Sequence, residues 1–181
     1  MKETTKKIFI SIITSLLVLT LTGCGNDKQD TDERANKKPE VTGKVYDNGS
    51  GLTIRMAEGM EEDELEGYAM FYYGESCMMT ALKETFEEFE SVGYDAENSS
   101  LEDYCEIVKE ANGLDFPFEK DSYGYPYISY INEVDGNNFT YYTTVRKGSD
   151  AFWLVTMACL EDEEELWLPQ FEEWGSTITV E

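Results

Sequence analysis

Five consecutive acids, Glu161-Asp162-Glu163-Glu164-Glu165, are the densest array of hard oxygen ligands in this 181-residue chain. Such a run could hold calcium, with Glu161, Asp162 and Glu163 as the candidate ligands. The spacing argues against a dedicated loop, because nothing follows the DxDxDG pattern with a closing glutamate that wraps one ion. The plainer reading is a helix start, where negative charge is stabilised by free N–H groups and the helix dipole. A bound metal is therefore not expected. Asp135-Gly136-Asn137-Asn138 also offers oxygens, but as a turn it needs no ion to explain it.

Sulfur is the second chemistry on offer. Cys77, Cys105 and Cys159 are an odd set. Cys105 falls on an apolar helix face and Cys159 in a strand apolar on both sides. Buried reduced thiols are the expected state; a Cys105–Cys159 disulfide is the alternative if that helix packs on that strand. A nucleophilic thiol would need a base, and the chain has no histidine. The same absence removes Ser–His and Cys–His pairs and the commonest zinc and copper ligand. There is no phosphate loop, dinucleotide glycine pattern or GxSxG elbow, and no carboxylate spacing that marks a glycosidase. No catalytic residue and no cofactor are expected.

Aromatic rings are the third. Tyr123, Tyr125, Tyr127, Tyr130, Tyr141 and Tyr142 crowd one stretch. On a regular strand Tyr125 and Tyr127 share one face, while Ile128 and Tyr130 share the other. The plain reading is cross-strand packing. The sharper one is a platform for a sugar or peptide, with Tyr123, Tyr125, Tyr127 and Tyr141 as its ligand-contacting residues.

Charge narrows the partners. Residues 51–181 hold six basic and 31 acidic side chains, net −25. A field of that sign repels nucleic-acid phosphates and anionic lipid, and favours cations, basic proteins or neutral ligands. The abundance of Tyr, Phe, Trp, Leu, Ile and Met argues for a folded core inside an acidic shell rather than disorder.

The amino-terminal segment carries an address. Three lysines within Met1–Lys7 precede an uncharged apolar run, Ile8 to Leu21. Fourteen helical residues span roughly 21 Å, short of the roughly 30 Å hydrocarbon core. Basic flank, apolar run and small residues at a cut site are the parts of a signal peptide, here residues 1–23. Leu21-Thr22-Gly23-Cys24 resembles the bacterial lipobox. That resemblance implies a diacylglyceryl group on the Cys24 sulfur and cleavage before Cys24, with the two acyl chains enough for stable membrane attachment. Residues 24–50 then read as the lipidated cysteine and a polar, flexible tether. Its 26 residues after Cys24 would span roughly 25–30 Å as a coil and roughly 85–95 Å stretched.

Behind the tether the patterning predicts a mixed fold. Strands are expected at Gly51–Met56 and Tyr68–Tyr73, with a third favoured at Cys77–Glu84 and a helix from Thr85 to Ser91. Ser99 with Glu102 reads as a capping box opening a helix whose buried face is Leu101, Tyr104, Cys105, Val108 and Ala111. Three strands follow, about Tyr125–Glu133, Phe139–Lys147 and Phe152–Leu160, joined by hairpin turns. The last is apolar on both faces and must be covered on both. A helix with an acidic first turn follows, broken or restarted at Pro169, and Ser176–Val180 closes as a strand.

This order, with Gly51-Leu52-Thr53-Ile54-Arg55-Met56, Ser100-Leu101-Glu102-Asp103-Tyr104 and Phe152-Trp153-Leu154-Val155 with Ala158-Cys159, resembles the Mog/PsbP-like superfamily, and within it the lipid-anchored bacterial members. The resemblance implies an α+β fold over about residues 51–181: an antiparallel β-sheet with helices on both faces, an α-β-α sandwich. These are packing and capping motifs, so no activity comes with them. The expected function is a non-enzymatic binding or interaction domain, anchored at the extracytoplasmic face of the cell membrane, with an envelope protein as its partner. The alternative is a small-molecule or glycan-binding lipoprotein using a tyrosine-lined pocket.

Overall fold

The computed structural model describes residues 43–181. The signal segment, Cys24 and most of the tether lie outside the described residues.

The element that decides the architecture is β9 (Ala151–Leu160), buried along nearly its whole length. Its alternation sends Ala151, Trp153, Val155, Met157 and Cys159 into one core and Phe152 and Leu154 into another. Water is unfavourable on either side, so both must be roofed. The strand sits inside a seven-stranded antiparallel sheet of order β3-β4-β5-β9-β8-β7-β6. Its neighbours are β5 (Cys77–Thr85) and β8 (Asn137–Lys147). Beyond them run β4 (Met70–Tyr73) with β3 (Glu61–Glu62), and β7 (Pro126–Val134) with β6 (Glu119–Lys120). Asp135 and Gly136 turn β7 into β8 with φ of 50° and 82°, the left-handed pair that a two-residue hairpin requires.

One face is roofed by α1 (Phe86–Ser91) and α2 (Leu101–Asn112). Phe86, Phe89, Tyr104 and Val108 pack there on Val145, Phe152 and Leu154, and the Tyr104 ring lies flat on Phe152 at 4.3 Å. The cap of α2 is Ser100 with Asp103, one residue later than the spacing suggested. The Ser99 hydroxyl is taken by the Asp95 carbonyl instead, at 2.6 Å. Gly113 ends the helix at φ 64°.

The opposite face is roofed by α3 (Glu164–Gly175) and a small sheet of β1 (Lys44–Asp47), β2 (Leu52–Met56) and β10 (Thr179–Val180). Leu52, Ile54, Met56, Phe171 and Trp174 meet Met79, Trp153 and Met157 in this core. Pro169 was expected to break α3, and it does not. Its missing N–H leaves only the Glu165 carbonyl without a helical partner, and both residues are exposed to water. The fold is thus α+β, an antiparallel sheet with helices on both faces. Among the described residues no helix is long and apolar enough to cross a membrane.

The tether was expected to run through Ser50, but the fold begins earlier. β1 pairs with β2 from Lys44↔Met56 to Asp47↔Thr53. Tyr46 is 4% exposed; its hydroxyl donates to the Ala57 carbonyl at 2.8 Å and accepts from the Met60 N–H at 3.2 Å. A four-residue strand with one inward apolar residue has no periodicity to read.

This boundary is testable by truncation. A chain beginning at Gly43 should melt cooperatively, and one beginning at Gly51 should be less stable. Tyr46→Ala in the longer chain should cost about 3 kcal/mol, the usual penalty for emptying a buried aromatic site. Equal melting temperatures for the two starts would show β1 to be an ornament of the tether.

Candidate functional site

The tyrosine stretch folds around one buried ionic network. Asp121 follows β6, and its Oδ1 accepts the N–H groups of Tyr123 at 2.9 Å and Tyr125 at 2.8 Å. Its Oδ2 accepts the Tyr142 hydroxyl at 3.0 Å. Burial and the Asp121 charge together push the Tyr142 pKa up. Arg146, on the same face of β8, is 6% exposed and lies over the Tyr125 ring at 3.6 Å. It donates to Thr144 Oγ1 at 2.8 Å and to the Gly175 carbonyl at 2.6 Å. Burial pulls its pKa down, opposed by Tyr125, Tyr142 and Asp121. Gly175 packs against Tyr142, whose ring and hydroxyl lie 3.4 Å from where a Cβ would sit.

The four tyrosines read as a ligand platform do not line one surface. Tyr125 is capped by Arg146, and Tyr127 stacks on Tyr142 at 5.2 Å. Tyr123 is 46% exposed. Tyr141 corrects the expected set: strand alternation turns it to the opposite face, where it stacks on Tyr130 at 5.0 Å. Its neighbour Tyr142 takes the place assigned to it. A depression of about 180 Å³ is bordered by Phe116, Pro117, Glu119, Tyr127, Ile128 and Ser129. It is smaller than the usual small-molecule site.

The acid run is equally dispersed. Glu161, Asp162 and Glu163 form a 3₁₀ turn that leads into α3. Glu161 accepts from the Asn138 amide at 2.7 Å, Glu163 from the Trp167 indole at 3.1 Å and Glu164 from the Thr140 hydroxyl at 3.0 Å. Each carboxylate is pulled to a different strand or helix position. Among the described residues no three Asp, Glu, His or Cys gather as metal ligands.

Cys77, Cys105 and Cys159 are buried free thiols. The Cys105–Cys159 disulfide held as an alternative is corrected by the topology. Cys105 belongs to the core under α2, and Cys159 points into the core under α3. The sheet stands between the two sulfurs.

No protein-family model matches this sequence, and no curated protein does. Among solved structures, a crystal structure of a protein from Bacteroides thetaiotaomicron is similar with a TM-score of 0.50 at 12% identity. The match covers 77% of this chain and 48% of that one, so this chain spans about half that protein's length. The solution structure of cyanobacterial PsbP (CyanoP) from Synechocystis matches with a TM-score of 0.34 at 13% identity, over 82% of this chain and 98% of that one. At such identities likeness concerns the fold alone, and only the first match is strong enough to support it.

Sequence reasoning passed over three residues that the structure makes prominent: Asp121, Arg146 and Glu84. Glu84 ends an even-numbered row in β5 with Thr80 and Leu82, and Arg146 ends one in β8 with Tyr142 and Thr144. A charge in phase with a buried row was the available signal. Glu84 lies under α2 and accepts the Tyr104 hydroxyl. Burial raises its pKa from the usual 4.5 to about 7, with the Tyr104 bond opposing and Glu88 adding to the rise.

Glu84 makes stability depend on pH. Between about pH 4.5 and 7 the folded chain holds a proton that the unfolded chain has released. Stability therefore falls as pH rises through this window, by roughly 3 kcal/mol in all. Glu84→Gln keeps an acceptor for Tyr104 and removes the titration. Denaturant melts of the two proteins from pH 5 to 8 should diverge in slope, the variant being flatter. Parallel loss of stability would mean that Glu84 is ionised and hydrated in the fold.

Proposed function

We propose that this chain is an exported lipoprotein, held through diacylated Cys24 on the outer face of the cytoplasmic membrane. Its residues 43–181 act there as a non-enzymatic binding domain of the Mog/PsbP-like superfamily. The observation that carries this reading is where the charge lies. Among the described residues Glu84 and Asp121 are the buried acids and Arg146 the buried base; the other acidic residues are exposed or half-buried. The surface is therefore a nearly single-sign field, which attracts and orients a cationic partner. Tethered to a membrane, such a domain works by what it holds there. The partner that fits is an envelope protein with a basic face, and the same field keeps the domain off anionic headgroups.

Two measurements test the two halves. Cys24→Ala should lose radioactive palmitate that the wild type incorporates; equal label in both would refute the anchor. Cross-linking in intact cells should recover a discrete basic protein, and its affinity for the purified chain should fall about tenfold or more from low to high salt, as a charge-led contact does. Salt-independent binding, or specific stabilisation by a neutral glycan or small molecule instead, would contradict the charge-led reading.

A further inference from the structure

Two of the three thiols are cross-strand neighbours at one end of the β5–β9 ladder. Cys77 opens β5, Cys159 lies near the end of β9, and the two are directly paired in the antiparallel register. Both point into the core under α3 and the small sheet. The hydrogen bonds say which kind of pair this is. The Gly74 N–H donates to the Cys77 carbonyl at 2.8 Å, and the Ala69 N–H to the Ala81 carbonyl at 2.8 Å. Odd residues of β5 thus turn their peptide groups toward β4. On the other edge the Phe86 N–H donates to the Asp150 carbonyl at 2.8 Å, so even positions face β9. Cys77 and Cys159 are consequently a non-hydrogen-bonded pair. In that arrangement Cα atoms stand about 4.5 Å apart with side chains at their closest, inside the range of roughly 4.4–6.8 Å that a disulfide spans.

We propose that Cys77 and Cys159 are a reversible oxidation site, closing a disulfide between β5 and β9 when the chain meets a small-molecule disulfide such as oxidised glutathione. The Cys77 thiolate attacks one sulfur of the oxidant, the oxidant's S–S bond breaks, and one small thiolate leaves. The Cys159 thiolate then attacks the Cys77 sulfur of the mixed disulfide and expels the second. Two protein thiols and one small disulfide become one protein disulfide and two small thiols, which carry away both protons. Cys105 cannot compete, because the sheet separates it from both partners. The odd cysteine count resolves into one pair and one bystander.

The surroundings set the rate. Cys77 is 5% and Cys159 2% exposed, and the Met60 sulfur lies 3.9 Å from that of Cys77. Burial pushes both thiols up to about 12; Cys159 adds to the rise at Cys77, and Glu163 raises both. Thiolate is scarce in the folded state, so exchange proceeds slowly or through opening of the β4–β5 hairpin. The pair sits under the 3₁₀ turn of Glu161–Glu163, and closing it fastens the long chain segment between β5 and β9.

The test uses the full chain and oxidised glutathione as probe, equilibrated at a denaturant concentration that permits opening, then acid-trapped, alkylated and mapped by mass spectrometry. The expected product links the peptides of Cys77 and Cys159, lighter by two hydrogens, with Cys105 alkylated. Melting temperature should rise by roughly 10 °C and return on adding dithiothreitol. Cys105→Ser should behave as wild type, and Cys77→Ser should show no shift. Alkylation of both thiols after oxidation, or a linkage that uses Cys105, overturns the proposal; mapping the wild type needs no variant to fold. Export and pairing separate in a second sample, trapped directly from cells. A linked pair there supports both. A pair reduced in cells but linked in vitro leaves the site standing and contradicts an oxidising compartment.

Discussion

A strand that is apolar on both sides can exist in water only if both sides are covered, and β9 imposes that condition on the whole domain. Trp153, Val155 and Met157 require one roof, Phe152 and Leu154 another. The chain supplies them from different parts of its length. The α1–α2 segment, inserted between β5 and β6, makes one layer. The other is built from the two ends of the described chain, with β1 and β2 on one side and α3 and β10 on the other. The Glu181 N–H donates to the Gly51 carbonyl at 3.0 Å and its carbonyl accepts from the Ser149 N–H at 2.7 Å, so the carboxy-terminal residue is bound into both the small sheet and the β8–β9 turn. This makes β1 part of the fold rather than of a tether, because it edges the sheet that shields Trp153.

The acidic surface follows from the same division of labour. Most apolar side chains are consumed by two cores, and the charged side chains left outside them are nearly all of one sign. The ion pairs Lys83–Asp150, Lys109–Glu106 and Lys120–Glu102 all lie at the surface, where each contributes little. The domain therefore folds against its own repulsion. The buried Arg146 shows how positive charge is used when it is scarce. It joins the tyrosine turn, β8 and the end of α3 through Tyr125, Thr144 and the Gly175 carbonyl, and so fixes the edge of the sheet beneath α3. A stack of this kind supports structure rather than offering its rings to a ligand: Tyr125 is covered by Arg146, and Tyr142 by Tyr127.

Much of the fold was legible because its signals are local. The two hairpin turns, the alternation of β2, the apolar run of β9 and the apolar face of α2 each announce themselves within a dozen residues. What escaped is set by distant contacts. β1, β3 and β6 have two to four residues each, too few for a period, and exist because a longer strand offers them an edge. Pro169 reads as a breaker from sequence, yet α3 continues because Phe171 and Trp174 are held by the core on the far side of it. Tyr141 and Tyr142 are neighbours in sequence, and a one-residue difference of phase sends them to opposite faces. Cys105 and Cys159 would be partners only if the helix packed on that side of the strand, whereas the register sets Cys159 opposite Cys77.

Native-state hydrogen exchange measures the dependence on β9 directly. Amides of β9 and of its partners in β5 and β8 should exchange only through global unfolding, with equal opening free energies that shift together in denaturant. Amides of β1, β6 and β10 should open in smaller steps at lower free energy. Exchange of the β9 amides at the low free energy of the edge strands, with the rest of the domain still closed, would contradict the account.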